Sequence, residues 1–276
     1  MQLLGAYDDG SVEPTVRHVM TSLPRRSFLG GIAAAIVSAC SSGSKRAGEP
    51  SSSAPASTVA PSVPPPSPAP LSTATFVSAG PADRRDVALT YHVSGDHALV
   101  TQLLDLLDAR SVKITAFIVG SWLEANADIA TRFTSAGHEL ANHTYTHPTF
   151  STLSRADMQE EVERCREVLQ RLTGTPGDFF RPSGTANGTD DPGAAVRDVA
   201  RAAGYDTLAG FDVDPMDYAD PGASAVAART LAAVHPGAIV SLHFGHAGTI
   251  DAMPAILDGL DARGLRPVTL RELLGR

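Results

Sequence analysis

From about residue 86 onward the chain alternates between short apolar runs and amphipathic stretches. Val87-Ala88-Leu89-Thr90-Tyr91 and Val112-Lys113-Ile114-Thr115-Ala116-Phe117-Ile118-Val119 have the length and β-branched content of strands, and Gly120 stops the second. Leu103, Leu104, Leu106 and Leu107 form an apolar face within residues 99–107, which predicts a helix. The same spacing predicts helices over 122–133, 154–172, 194–203, 223–234 and 250–260. Strands are predicted over 138–142, 207–211, 238–242 and 267–270, with a strand end at Phe179-Phe180-Arg181. Strand and helix thus alternate about seven times, which calls for parallel strands with helices outside, an α/β sheet or barrel. Seven repeats fall short of the usual eight-fold barrel.

The first 82 residues follow no such pattern. Arg25-Arg26-Ser27-Phe28-Leu29 has the twin-arginine form of an export signal. The apolar run from Gly31 to Val37 behind it is too short to span a bilayer, which takes about 20 residues. Ser38-Ala39-Cys40 resembles a bacterial lipobox, so lipid on Cys40 is expected to tether an exported protein to the outer face of the cytoplasmic membrane, in the cell envelope. Asp8, Asp9 and Glu13 do not suit the start of an export signal, and Met20 is an alternative first residue. Residues 41–82 are rich in Ser, Pro and Ala and are expected to be a disordered linker. The catalytic domain is then expected over 83–276.

Charge and cysteine content narrow the partners. A formal net charge of -8 argues against a phosphate-binding surface, so nucleic acid is not expected. Two cysteines, Cys40 and Cys165, in unlike contexts do not make a disulfide framework. One domain of this size is expected to act as a monomer.

In parallel α/β folds chemistry gathers at the carboxyl ends of strands. His92 follows the first predicted strand, His143 and His147 the third, and Arg181 the fourth. Asp212, Asp214 and Asp217 follow the next, and His243 the one after. His143 and His147, four apart in Asn142-His143-Thr144-Tyr145-Thr146-His147-Pro148, can turn two imidazoles toward one divalent metal. His97, His138 and His235 lie at polar element ends and are expected to be solvated, and Trp122 is expected to be core.

Over residues 83–276 the chain resembles the polysaccharide deacetylase (NodB homology) family of carbohydrate esterases. The segment from Asn142 to Pro148 matches its H-[ST]-x-x-H metal motif, and Ala238-Ile239-Val240-Ser241-Leu242-His243 its late motif. Val213-Asp214-Pro215-Met216-Asp217-Tyr218 and Phe180-Arg181-Pro182-Ser183-Gly184 are similar to two others. The resemblance implies a distorted (β/α)7 barrel, a divalent metal such as zinc (cobalt or nickel also serve) and removal of acetyl groups from a polysaccharide such as peptidoglycan or a chitin-like oligosaccharide. It implies that His243 is the general acid, that Asp217 or Asp214 is its partner, and that Arg181 orients the base.

One motif departs. The family's T-F-D-D-G carries its base and a metal ligand, and here it reads Thr90-Tyr91-His92-Val93-Ser94-Gly95-Asp96. Either His92 completes a three-histidine metal site with His143 and His147, and Asp96 is the base, or Asp96 is the ligand and His92 the base. A catalytically degenerate glycan-binding lipoprotein and a small-amide hydrolase are the rival functions.

Overall fold

The protein is described from a computed structural model that covers residues 73–185 and 187–276; the twin-arginine segment, Cys40 and residues 41–72 of the expected linker lie outside the described residues. In chain order the elements are β1 (Thr75–Val77), β2 (Asp86–Val93), α1 (His97–Ala109), β3 (Thr115–Ile118), α2 (Gly120–Ala125), α3 (Ala130–Ser135), β4 (Glu139–Asn142) and α4 (Arg155–Thr173). Then follow α5 (Ala194–Ala202), β5 (Thr207–Ala209), α6 (Ala223–Ala233), β6 (Ile239–His243), α7 (Ala247–Ala262), β7 (Arg266–Val268) and α8 (Leu270–Leu273).

Every described strand pair is parallel. β2 is the centre, with β3 on one side, β6 and β7 on the other, and β4 beyond β3. Single bridges extend the order from Asn142 to Phe180, from Phe180 to Leu208 in β5, and from Val213 to Val240 in β6. The α/β class with parallel strands is as expected. Among the described residues the ladder is not continuous around a barrel.

The two-residue period of the strands sorts their side chains into two layers. Val87, Leu89, Tyr91 and Val93 of β2 join Ala116, Ile118, Val240 and Leu242 in the core under the helices. Ala88, Phe117, Ala141 and Ile239 join Phe179, Ala209 and Phe211 in a second cluster on the other face. Thr90, His92, Ser241 and His243 continue the phase of that second cluster toward the strand ends. Both faces are covered, which is why β2 reads as a nearly unbroken apolar run.

Three expectations change. The folded part begins before residue 83: β1 pairs with β5 (Thr75 with Thr207, Val77 with Ala209), and Ala74 is buried in a core cluster with Val196 and Leu208. A three-residue strand beside Pro- and Ser-rich sequence carries no periodic signal. The predicted helix over 122–133 is split into α2, a short 3-10 turn at Ala127–Ile129 and α3. Asn126 causes the break: its backbone leaves the helical region and its side-chain amide donates to the Trp122 carbonyl (2.8 Å). Phe179-Phe180-Arg181 makes only single bridges, because Pro176 and Pro182 on either side cannot donate to a ladder.

Candidate active site

His92 and His243 are direct neighbours in the ladder between β2 and β6. Both lie at carboxyl ends of strands on the inner layer, so their rings meet in a T-shaped contact, with centroids 4.5 Å apart. His143, one residue past β4, brings its ring to 4.2 Å from that of His92 and 4.8 Å from that of His147. The ligand atoms of His92, His143 and His147 all lie within 4.8 Å of one another.

The backbone is bent to make this possible. Thr144 and His147 both have left-handed φ values (69° and 61°), uncommon for residues with a Cβ and costing about 1–3 kcal/mol each. The surroundings hold them there. The Asn142 side-chain oxygen accepts the Thr144 N–H, and the Thr144 hydroxyl bonds Ser183 Oγ (3.1 Å). Glu161, on α4, accepts the N–H groups of Tyr145 and Thr146 and the Thr146 hydroxyl. Glu161 is not picked out by the sequence, and Ser183 enters only as a letter of the Phe180–Gly184 motif, because their partners are groups of a loop whose path is not readable from residue types.

His143 has the features of a ligand. Its Nδ1 donates to the Arg181 carbonyl (2.8 Å), which leaves a lone pair on Nε2, and that Nε2 is buried without a partner. Burial first, then the neighbouring His147, holds its pKa well below the imidazole range, so the ring stays neutral. A fixed tautomer and an unpartnered buried lone pair beside a second imidazole suit a divalent metal. The fit is good for His143 and His147. For His92 it conflicts with the hydrogen bonds described next.

Arg181 is fully buried, and burial lowers its pKa to about 9. Its Nε donates to the Ala209 carbonyl, Nη2 to the Gly210 carbonyl, and Nη1 to Thr90 Oγ1 (3.0 Å) and to His92 Nε2 (3.1 Å). The guanidinium also lies over the Phe117 ring, 3.9 Å from its centroid. No carboxylate is among these partners. The resemblance implies that this arginine orients a base carboxylate, and the group it meets is the His92 ring. The other nitrogen of His92, Nδ1, is 2.9 Å from His243 Nε2.

His243 completes the site. Its Nδ1 donates to Asp217 Oδ1 (2.7 Å) and its backbone N–H to Asp217 Oδ2 (2.7 Å). The Thr249 hydroxyl also donates to Oδ2, so the buried carboxylate receives three donors. Thr249 is a participant that nothing in the sequence announces. Of the two candidates for this role, Asp217 is the partner. Asp214 is exposed and accepts the N–H of Met216 within its own loop.

Asp96 is not brought to the cluster. It is exposed at the start of α1, where its Oδ1 accepts the N–H groups of Ala98 (2.8 Å) and Leu99 (3.2 Å) as an N-cap. Its expected roles as base or ligand lose their geometric basis. Val93 faces the helix-side core. Tyr218, half exposed, sets its ring 5.4 Å from that of His243. Tyr145 is placed differently: its hydroxyl donates to Glu124 and Arg164 lies over its ring. Trp122 packs against the core and donates to the Gly95 carbonyl. His97 and His235 pair with Asp128 and Asp212 near the surface, but His138 is buried, against expectation, because the turn after α3 folds it over Phe133.

Comparison with known proteins gives a consistent picture. A family model described as polysaccharide deacetylase matches residues 79–208. A peptidoglycan-N-acetylglucosamine deacetylase of Bacillus cereus is 30% identical over 70% of this chain and 90% of its own length. A chitooligosaccharide deacetylase of Rhizobium leguminosarum bv. trifolii is 30% identical over 74% of this chain and 89% of its own. The uncharacterized protein YlxY of Bacillus subtilis is 28% identical over 71% of this chain, but the match spans 59% of its own length. Among solved structures, the Bc1960 peptidoglycan N-acetylglucosamine deacetylase superposes with a TM-score of 0.66 at 25% identity, covering 72% of this chain and 92% of that one. A mutant of BA3943, a pseudoenzyme of the same family with restored enzymatic activity, superposes at 0.67 and 26% identity, covering 72% of this chain and 71% of that one.

Proposed function

The chain belongs to the polysaccharide deacetylase family of hydrolases, and from that premise we propose that it removes acetyl groups from an N-acetylated, or O-acetylated, polysaccharide of the cell envelope. The observation that carries this reading is the unpartnered Nε2 of His143, aimed into a cluster with His147 and His92 beside the His243–Asp217 pair. Peptidoglycan and chitin-like oligosaccharides are the proposed substrates, following the two curated relatives. Lipid anchoring through Cys40 would set the domain on the outer face of the membrane, where such a polymer lies.

His143 and His147 would hold a divalent cation, zinc with cobalt or nickel as alternatives, which when bound polarises the acetyl carbonyl and acidifies a water. The protein's own groups do the rest. Asp217, whose carboxylate already accepts three hydrogen bonds, stabilises positive charge on the His243 ring. The Nε2 of His243 is then the site that takes the proton given up by the attacking water and passes it to the leaving nitrogen or oxygen. Tyr218 forms one exposed wall beside it.

A second reading, glycan binding without turnover, is favoured by one observation: no carboxylate belongs to the metal cluster among the described residues. The structural likeness to wild-type BA3943, a CE4 family pseudoenzyme, agrees with it (TM-score 0.65, 26% identity). One experiment decides between them. Purified protein is loaded with zinc, its metal content is measured, and acetate release from chitooligosaccharides and peptidoglycan fragments is followed. Deacetylation predicts about one zinc per chain and acetate release that His143→Ala abolishes. Oligosaccharide binding with no acetate release at any metal loading would establish the second reading instead.

A further inference from the structure

We infer that His92 is a positioning residue and neither the third metal ligand nor the base: it is one link in a hydrogen-bond chain of fixed direction, Arg181 to His92 to His243 to Asp217. The inference rests on reading this cluster as the reaction site, but not on the site turning over.

The direction follows from the two ends. A guanidinium only donates, so His92 Nε2, 3.1 Å from Arg181 Nη1, accepts and carries no proton. An imidazole keeps at least one proton, so His92 is protonated on Nδ1. That N–H points at His243 Nε2, 2.9 Å away, which therefore accepts and is bare. His243 then carries its proton on Nδ1, where the Asp217 carboxylate receives it at 2.7 Å. The far end, fixed independently by a carboxylate, demands the same tautomer that the near end imposes. In this arrangement each ring carries its proton on Nδ1, and each has both nitrogens engaged.

Two consequences follow for the site. His92 has no lone pair left for a cation, because one is given to Arg181 and its other nitrogen holds a proton. Ligation through Nδ1 would move that proton to Nε2, against an arginine N–H. The cation site of this chain is therefore built by His143 and His147 alone. The second consequence concerns His243, whose Nε2 is held as an acceptor and masked by His92, so a substrate must displace the His92 N–H to reach it.

Glutamine at 92 is the discriminating substitution, since its amide oxygen accepts from Arg181 and its NH2 donates to His243, while it is a poor zinc ligand. Zinc affinity of the full chain is measured for wild type, His92→Gln, His92→Ala and His143→Ala. A link role predicts that His92→Gln stays within about threefold of wild type, while His143→Ala weakens binding by at least about tenfold. A loss of tenfold or more in His92→Gln, equal to that in His143→Ala, would overturn the inference. Long-range proton–nitrogen correlation spectra of 15N-histidine-labelled protein give a second readout, with signals assigned by their absence in His92→Gln and His243→Gln. Protonated Nδ1 and bare Nε2 are expected on both rings, unchanged for His92 when zinc is added. A proton on His92 Nε2, or a shift of His92 nitrogens to values typical of coordination, is the opposing result. If wild type takes up no zinc, the metal part of the proposed function fails, and the tautomers alone decide this inference.

Discussion

Asp217 is placed to control what the His243 ring can do. An amide at this position would present N–H where the imidazole Nδ1–H now points, and the ring would turn to its other tautomer. Asp217→Asn is therefore expected to lower the rate of acetate release about 10²–10⁴-fold with little change in KM, measured on chitooligosaccharide. His138 governs a different property. Burial first holds its pKa down to about 4, and its Nε2 has no partner. A histidine whose folded pKa lies below its unfolded value of about 6.5 binds protons more readily in the unfolded chain. Its contribution is fully present above pH 6.5 and is lost as pH falls toward 4, by about 3 kcal/mol in total. His138→Gln is expected to flatten the acid side of a plot of Tm against pH between those limits. At this scale the sequence shows a great deal. His143, His147, His243, Arg181 and Asp217 all follow predicted strands; strand phase sets His243 beside His92, and bent loops bring in His147 and Asp217. Asp96 and Asp214 follow strands too, yet their carboxylates turn back to nearby N–H groups. Residue type and spacing do not say which way a short acidic side chain will turn.

Elements were legible where the pattern is long. α4 is predicted over 154–172 and observed at Arg155–Thr173, with Ser154 accepting the Asp157 N–H as N-cap and Gly174 closing it at φ 78°. The break at Asn126 and the bridges at Phe180 are invisible to periodicity because each is decided by a single side chain or by flanking prolines. The cap on α1 gives a clean test at this scale. Asp96→Ala removes an acceptor for two orphan N–H groups and should lower stability by about 1 kcal/mol in urea unfolding. Zinc affinity and acetate release should be unaffected; a large loss of either would return Asp96 to the site.

For the molecule as a whole, the domain extends further toward its N-terminus than composition suggests. Ala74 and the partly buried Phe76 pack on the cluster that includes Val196, Tyr205 and Leu208. A chain beginning at residue 83 should lose about 2 kcal/mol and melt about 4–8 °C lower than one beginning at residue 73. It should also bind zinc less uniformly, because β1 reaches the site by a short route. The Gly210 N–H donates to the Val77 carbonyl at the end of β1, and the Gly210 carbonyl receives Arg181 Nη2 (2.8 Å). Gly210 fits there only as glycine, since a Cβ would collide with the Gly188 carbonyl oxygen and come within 2.7 Å of the Phe76 ring.

That route has a mechanical meaning. β1 is the first strand among the described residues, and it runs parallel to β5. Tension applied through the residues before β1 loads the β1–β5 hydrogen bonds along the strand direction, which shares the force among them. Once they yield, the next group released is Gly210, and with it one of the carbonyls that fix the guanidinium. The domain can then be disarmed by pulling before it is unfolded. In single-molecule stretching from the N-terminal side, a small first extension should precede the main unfolding event and vanish in the chain that starts at residue 83.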